Sequence, residues 1–157
     1  MERRALFSAC GRYRSTLLRT WADGGRVAFV MLNPSVADAE HDDPTIRRCI
    51  GFAQRWGYGG LEAVNLFAWR AVHPSDMKRA EEPVGPDGDA PLVRALSRCA
   101  LVVAAWGVHG AHRGRGSEVA SVLRAHGSLH HLGLTKEGHP RHPLYLRRDV
   151  EPQEWRA

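Results

Sequence analysis

The sequence of 157 residues contains no stretch that approaches the roughly 18–20 apolar residues of a membrane span. The apolar run near the N-terminus is too short for a secretory signal. Three cysteines, Cys10, Cys49 and Cys99, lie far apart and form no Cys-x-x-Cys pair. This spacing argues against a disulfide framework and against a cysteine-ligated zinc or iron–sulfur site. We therefore expect a cytoplasmic protein with no membrane association and with reduced cysteines.

Lysine is scarce as well, since Lys78 and Lys136 are the only two lysines among 22 basic residues. The formal net charge is +5, which permits an anionic partner such as nucleic acid or a nucleotide. A base-rich genome that favours arginine codons explains the same bias. Charge alone therefore does not decide the partner.

Motifs for a metal or a nucleotide phosphate are also missing. His109 and His112 have helical spacing, but they lie in a glycine-rich segment without the glutamate of a zinc-protease helix. The segment Arg113-Gly114-Arg115-Gly116 lacks the Lys-Ser/Thr pair of a Walker loop. We expect neither a metal nor a cofactor.

What is present is an alternation of strand and helix patterns in a chain of ordinary globular composition, with 43% hydrophobic and 25% charged residues. Strands are predicted at 13–21 (an edge strand), 26–32, 61–69, 101–106 and 129–134. Helices are predicted from Asp43-Pro44, an N-cap followed by a first-turn proline, to about residue 56, and at 91–99 and 117–126. Residues 73–89 are predicted to be a surface loop. With no repeat or linker, the pattern favours a single α/β domain over 1–157, a three-layer α/β/α sandwich with a mainly parallel central sheet.

In such sheets a ligand binds at the carboxyl ends of the strands. The strand 26–32 ends at Asn33-Pro34-Ser35, where Asn33 could orient a water or read a base edge, or could only cap a turn. Asn65 lies in an otherwise apolar strand, and its amide could pair with a nucleobase or bond to neighbouring backbone. Phe67 is predicted to lie on the same face of this strand as Asn65, where it could stack on a base or pack in the core.

Two further groups could contact an anion. His139 and His142 each precede a proline, which stiffens the turn and suits a histidine that reaches a phosphate or a developing anion. Arg113 and Arg115 could contact phosphates near the helix that starts at about Ser117. The alternative for both groups is a solvated turn or loop.

The order of the motifs resembles an uncharacterised bacterial domain family. Its hallmarks are Asn-Pro-Ser, Asp-Pro-Thr, Gly-Tyr-Gly, Asn-Leu-Phe, Trp-Gly and His-Pro-x-His-Pro-Leu-Tyr. In this sequence they stand at 33–35, 43–45, 57–59, 65–67, 106–107 and 139–145, and so cover most of 12–148. This resemblance implies no function by itself.

More distantly, the same order resembles the uracil-DNA glycosylase superfamily, whose members flip a base into a pocket and hydrolyse its glycosidic bond. The resemblance implies that Asn33 positions the water, Asn65 reads the base and His142 stabilises the departing base anion. Pro34, Ser35 and Phe67 would line the base pocket. Asp38 would be a reserve carboxylate for water activation. Asp42 is a further alternative, whereas Asp43 is better explained as the helix cap. The predicted DNA contacts are His139, Arg141, Arg113 and Arg115. Asn33 is similar to the Asn of the mismatch-specific branch, whereas the Asp that the best-known branch has at this position and the iron–sulfur cysteines of the thermophilic branch are absent.

These residues lead to one main hypothesis and two alternatives. The main hypothesis is a monomeric, cofactor-free DNA glycosylase that acts on a modified base in single- or double-stranded DNA. The first alternative is a nucleic-acid-binding module without catalysis. The second is a hydrolase or binder of free modified nucleosides.

Overall fold

Seven strands form one sheet in a computed structural model that describes residues 1–156. The strands are β1 (Glu2–Phe7), β2 (Arg14–Thr20), β3 (Arg26–Met31), β4 (Gly60–Asn65), β5 (Leu101–Ala104), β6 (His130–His131) and β7 (Gln153–Glu154). The helices are α1 (Pro44–Arg55), α2 (Pro74–Arg79), α3 (Ala90–Arg98) and α4 (Arg115–His126). The strand order across the sheet is β1-β2-β4-β3-β5-β6-β7.

The sheet is mixed, so the prediction of a mainly parallel sheet is wrong. Strand β3 pairs in parallel with β4 and β5, and β5 pairs in parallel with β6. The pairs β1–β2, β2–β4 and β6–β7 are antiparallel. The parallel centre follows from the strand–helix alternation, whereas the antiparallel margins come from the hairpin at one end of the chain and the short strand at the other.

The predicted edge strand is an interior strand. Strand β1, which the sequence patterns did not identify, covers the free side of β2 and moves the sheet edge outward. The side chains of Arg14 and Arg19 are 2% and 0% exposed because the loop after β3 covers them, and the carbonyl oxygens of Ala37 and Asp38 in that loop accept their hydrogen bonds. Buried arginines need acceptors, and Arg19 has Asp42 as its partner at 2.8 Å.

Helices pack on both faces of the sheet because its central strand is apolar throughout. From β3, Val27 and Phe29 join a core cluster with residues of α1. Ala28 and Val30 point to the other face and join a cluster with residues of α3 and α4. This alternation explains why the run from Val27 to Leu32 contains no polar residue.

Helix α1 begins as the sequence predicts. The Oδ1 atom of Asp43 accepts a hydrogen bond from the backbone N–H of Ile46 at 2.8 Å, and Pro44 occupies the first helical position. Capping by aspartate also places a carboxylate next to the positive end of the helix dipole.

Other elements differ in length from their predictions. The predicted loop 73–89 contains the short helix α2, and the strand predicted at 129–134 is reduced to the two residues of β6. Strand β6 stops because Gly133, at φ +119, turns the chain and donates its N–H to Nδ1 of His131. No helix within residues 1–156 is long and apolar enough to cross a membrane.

Candidate functional site

A cavity of about 760 Å³ lies at the carboxyl ends of β3, β4 and β5. The parallel pairing of these strands brings the loops that follow them to one edge of the sheet. Its lining includes the polar residues Asn33, Ser35, Asn65, Arg141 and His142 and the apolar residues Pro34 and Trp106.

The side chain of Asn33 is held in one orientation at the cavity wall. Its Nδ2 group donates to the carbonyl oxygens of Pro34, at 3.0 Å, and of Ala71, at 2.9 Å. Because carbonyl oxygens only accept, these two bonds fix which end of the amide is nitrogen. The Oδ1 atom accepts no hydrogen bond from residues 1–156 and belongs to a fixed side chain that borders the cavity.

Asn65, the last residue of β4, is a buried amide without a partner. The residue is 8% exposed, and neither Nδ2 nor Oδ1 forms a hydrogen bond within residues 1–156. Leaving a buried polar group unpaired costs about 1–3 kcal/mol, so native proteins rarely retain one without a use. The side chain lines the cavity and offers it one donor group and one acceptor.

His142 presents a defined tautomer. Its Nδ1 atom accepts a hydrogen bond from the N–H of Leu144 at 3.3 Å and caps the 3-10 turn Pro143–Tyr145. Nδ1 therefore carries the lone pair, and Nε2 carries the proton of the neutral ring. Burial lowers the pKa of His142 below its ordinary value of 6.5, while the nearby carboxylate of Asp43 opposes part of that shift. The ring is thus neutral at pH 7.

The loop that carries His142 is fastened to the end of β5. Gly107, at φ +72, donates its N–H to the carbonyl oxygen of Pro140 at 2.8 Å. Next to it the indole of Trp106 packs so tightly against Gly110 that a Cβ there would lie 2.1 Å from the ring. This wall of the cavity therefore requires glycine at position 110.

Two further residues line the cavity: Arg14, which the sequence patterns did not single out, and Asp43, which they assigned to the helix cap. Arg14 lines the cavity and donates from Nη1 to the carbonyl oxygen of Ala37 at 2.9 Å, while its Nε has no hydrogen-bond partner among residues 1–156. Burial lowers the pKa of Arg14 to about 10, and the carboxylate of Asp43 favours the charged form. Asp43 also lines the cavity, with Oδ1 engaged by the helix cap.

Two predicted site residues lie away from this cavity. Phe67 is fully buried in the core, 5.5 Å from the ring of His112, and has no free face for a stacked base. The Oδ1 atom of Asp38 accepts from the N–H groups of Glu40 and His41 in a surface loop. Asp43 therefore replaces Asp38 as the carboxylate of the cavity, and the remaining alternative, Asp42, is bound to Arg19, as described for the sheet.

The predicted DNA contacts also separate. Arg141 is exposed and borders the cavity, whereas His139 lies in the turn before it and does not. Arg113 is exposed and bonds to the carbonyl oxygens of Ala80 and Glu81. Of the four, only Arg141 is placed beside the polar groups of the cavity.

Arg115 is a structural residue, which corrects its predicted role in phosphate contact. It is 5% exposed, its Nε donates to the carbonyl oxygen of Leu66 at 2.9 Å, and Nη1 forms ion pairs with Asp89 at 2.6 Å and Glu118 at 3.0 Å. A guanidinium so enclosed has no surface for a phosphate.

Replacing Arg115 with methionine is expected to lower the free energy of unfolding by about 2–3 kcal/mol. The carbonyl of Leu66 loses a charged donor, while Asp89 and Glu118, which are partly exposed, regain water. Urea unfolding measures this difference. Arg113→Met, which removes an equal charge from an exposed side chain, is the control and should cost less than about 1 kcal/mol. Equal losses in the two variants would contradict the structural role of Arg115.

No group of three or more His, Cys, Asp or Glu side chains in residues 1–156 is arranged to hold a metal ion. The three cysteines are unpaired, with Cys49 buried and Cys99 half-buried. Burial and the nearby carboxylate of Glu62 raise the pKa of the Cys99 thiol to about 12. Cys99 is therefore a thiol and not a thiolate at neutral pH.

Comparison with known proteins supplies a family. Neither curated proteins nor solved structures gave a match to the chain. A family described as a protein of unknown function, DUF1643, matches residues 12–144. The matched range contains β2 to α4, the loop of Asn33, and Asn65 and His142. The chain therefore belongs to the DUF1643 family of proteins of unknown function.

Proposed function

We propose that the protein is a DNA glycosylase-like enzyme that takes a modified base into the cavity and hydrolyses its N-glycosidic bond. The observation that carries this proposal is the buried, unpartnered amide of Asn65 in the cavity wall. An amide presents a donor and an acceptor side by side, which is the pattern needed to pair with the edge of a nucleobase. A flipped base would satisfy both atoms at once.

The size of the cavity agrees with a small organic ligand. Its volume of about 760 Å³ falls within the range of about 300–1,000 Å³ typical of ligand pockets. Its wall combines the apolar Pro34 and Trp106 with a few polar groups. A planar base can pack against the apolar surface while the polar groups select its edge.

Hydrolysis needs a placed water and an acceptor for its proton. In the proposed reaction the fixed Oδ1 of Asn33 accepts a hydrogen bond from the water and directs the water oxygen at C1′ of the sugar. The bond between C1′ and the base nitrogen breaks, and its electron pair leaves with the base. The water oxygen bonds to C1′, and the carboxylate of Asp43 takes the released proton.

The departing base carries negative charge, which two groups of the cavity can stabilise. The Nε2–H of neutral His142 can donate to the base anion. The buried guanidinium of Arg14 adds a positive charge that forms no ion pair with an acid of residues 1–156. Because Arg14 is buried, water screens its charge less than it would screen that of an exposed arginine.

The proposal extends to the architecture. Helix α1 packs on one face of the sheet and α3 and α4 on the other, in keeping with a three-layer sandwich like that of the uracil-DNA glycosylase superfamily. The positions of Asn33, Asn65 and His142 around one cavity support this distant relationship. The antiparallel margins of the sheet are additions to the parallel centre.

The role of His142 predicts a pH dependence. Below its lowered pKa the ring gains a proton at Nδ1, which then faces the N–H of Leu144 and forces the ring to move. We expect the turnover rate to be level from pH 7 to 8 and to fall as the pH decreases below 6.5. In His142→Asn, whose side chain can still cap the turn, the rate should fall about 100-fold and lose this acid limb. An unchanged acid limb in the variant would assign it to another group.

The proposal is tested by a base-excision assay on single- and double-stranded oligonucleotides. The panel carries uracil, hypoxanthine, xanthine, ethenocytosine and hydroxymethyl bases, and alkaline cleavage reveals abasic sites. Free modified nucleosides form a second panel, read by chromatography of the released base. Asn33→Ala is the inactive control in both.

Each outcome separates the hypotheses. Base release from DNA that disappears in Asn33→Ala supports the glycosylase and identifies its base. Release only from free nucleosides replaces it with a nucleoside hydrolase. If neither panel shows base release but the protein binds DNA with an affinity that falls steeply as salt is added, the glycosylase hypothesis is replaced by that of a recognition module.

A further inference from the structure

A second concave surface, here called the arginine groove, runs along the outer side of α1. Its volume is about 540 Å³. It is lined by Pro44, Arg47, Arg48, Gly51, Phe52, Arg55, Leu144 and Arg148. Pro44 and Leu144 also line the cavity, so the groove and the cavity share a rim.

The four guanidinium groups of this groove have no carboxylate partners within residues 1–156. Arg47 and Arg48 donate only to the carbonyl oxygens of Asp42 and Leu146, and Arg55 and Arg148 make no side-chain hydrogen bond. The neighbouring acids are engaged elsewhere, because Asp42 pairs with Arg19 and Asp149 pairs with Arg147. Four unneutralised charges of one sign repel one another and attract an anion.

The groups are spaced for an extended polyanion. Arg47 and Arg55 are eight residues apart on α1, which corresponds to about 12 Å at roughly 1.5 Å per residue. Successive phosphates of a duplex strand advance by about 3.4 Å along the axis, so this distance spans roughly three of them. One small anion could not contact both ends.

The floor of the groove is open to close approach. Gly51 stands between the arginines, and a Cβ built on it meets no atom within 4 Å. Beside it, the ring of Phe52 lies 5.5 Å beneath the guanidinium carbon of Arg48. This cation–π contact fixes the position of the Arg48 guanidinium in the wall of the groove.

We propose that the arginine groove binds the sugar–phosphate backbone of the DNA strand that delivers a nucleotide to the cavity. The delivery of a nucleotide rests on the proposed function, whereas the binding of the backbone rests on the charges and shape of the groove. Guanidinium groups bind phosphates through paired hydrogen bonds and carry no information about base sequence. The shared rim at Pro44 and Leu144 lets one strand contact both surfaces.

The test measures binding of an unmodified duplex and its single strand as a function of salt. In Arg47→Gln/Arg55→Gln we expect the affinity at 0.1 M salt to fall about 10-fold or more. The slope of log K against log salt for the duplex should decrease in magnitude by about 2, since each lost phosphate contact removes about 0.9. The control, Arg4→Gln/Arg94→Gln, removes the same charge from β1 and α3 and should bind within about 2-fold of the unaltered protein.

Gly51→Leu separates position from charge. It keeps all four arginines, adds a good helix former in open space and fills the floor of the groove. We expect it to weaken binding as well. Normal binding by Gly51→Leu, or equal losses in the groove and control double variants, would overturn the proposal.

Because the binding assay uses unmodified DNA, it does not depend on catalysis. Selective loss of binding in the groove variants without base release on any substrate would retain the groove and reject the glycosylase. If the protein releases a base and the groove variants bind DNA normally, the glycosylase is retained and the role of the groove is rejected.

Discussion

Asn33→Ala is expected to reduce base release by about 100- to 1,000-fold while DNA binding stays within about 3-fold. The side chain contributes one fixed acceptor, Oδ1, which is held by the two bonds of Nδ2 to the carbonyl oxygens of Pro34 and Ala71. In the proposed reaction its loss frees the attacking water but leaves the proposed DNA-binding surfaces intact. Misplacing or losing one preorganised polar group typically costs this much in rate.

The measurement is single-turnover base release with the substrate that the panel identifies, accompanied by binding of the same duplex. Val72→Ala is the matched control because Val72 borders the same cavity and offers no polar atom. We expect Val72→Ala to release base at nearly the original rate. Full turnover by Asn33→Ala would show that another group places the water, and the role assigned to Asn33 would be wrong.

The positions of three cavity residues could be predicted because they follow from one topological rule. Asn33 follows one apolar strand pattern, Asn65 is the single polar residue that interrupts the next, and His142 lies in a loop stiffened by prolines. Parallel strands share a carboxyl edge, and β3, β4 and β5 are parallel neighbours. Residues fixed at those ends must therefore meet in one place, whatever the details of the helices.

The position of Phe67 failed for a local reason. Alternation along an extended strand placed it on the same face as Asn65, but the ladder of β4 ends at Asn65. Beyond that residue the chain leaves the strand geometry, so the two-residue period no longer applies. Phe67 turns into the core instead, where none of its surface is exposed.

Arg14 could not be recognised because its burial depends on a distant segment. An arginine in an edge strand normally extends into water, and the strand pattern predicted this exposed environment for Arg14. The loop after β3 instead covers the guanidinium, and the carbonyl oxygen of Ala37 in that loop accepts its hydrogen bond. Contacts between segments so far apart in the sequence cannot be predicted from the residues around Arg14.

The environments of Asp38, Asp43 and Arg115 also depend on tertiary packing and so could not be predicted from the sequence. Both Asp38 and Asp43 follow β3 in sequence, and only the path of the loop decides that Asp43 borders the cavity. Arg115 stands in a glycine-rich segment that is typical of a solvated loop, yet α4 starts at that residue. Its side chain then points inward to Leu66. The sequence shows which charged residues the chain contains, but the packing of the folded protein decides which of them a ligand can reach.

Asn65→Leu is expected to stabilise the protein and to abolish its activity. Both polar atoms of Asn65 are buried without partners, so an apolar side chain of similar size removes a cost of about 1–3 kcal/mol. For a chain of this length each kcal/mol corresponds to about 2–4 °C in Tm. The same change removes the donor and acceptor proposed to read the base, and a site built for such bonds discriminates by about 10,000-fold.

Thermal unfolding and single-turnover base release, measured on the same samples, test the two expectations together. Asn65→Ala is the companion variant, because it also removes the amide but leaves a void, and so should lose activity without the gain in Tm. A structural amide would give the opposite pattern, with a lower Tm and retained base release in Asn65→Leu. Higher stability with lost activity has a simple cause: the native amide is kept unpaired in the folded protein so that it can bind a ligand.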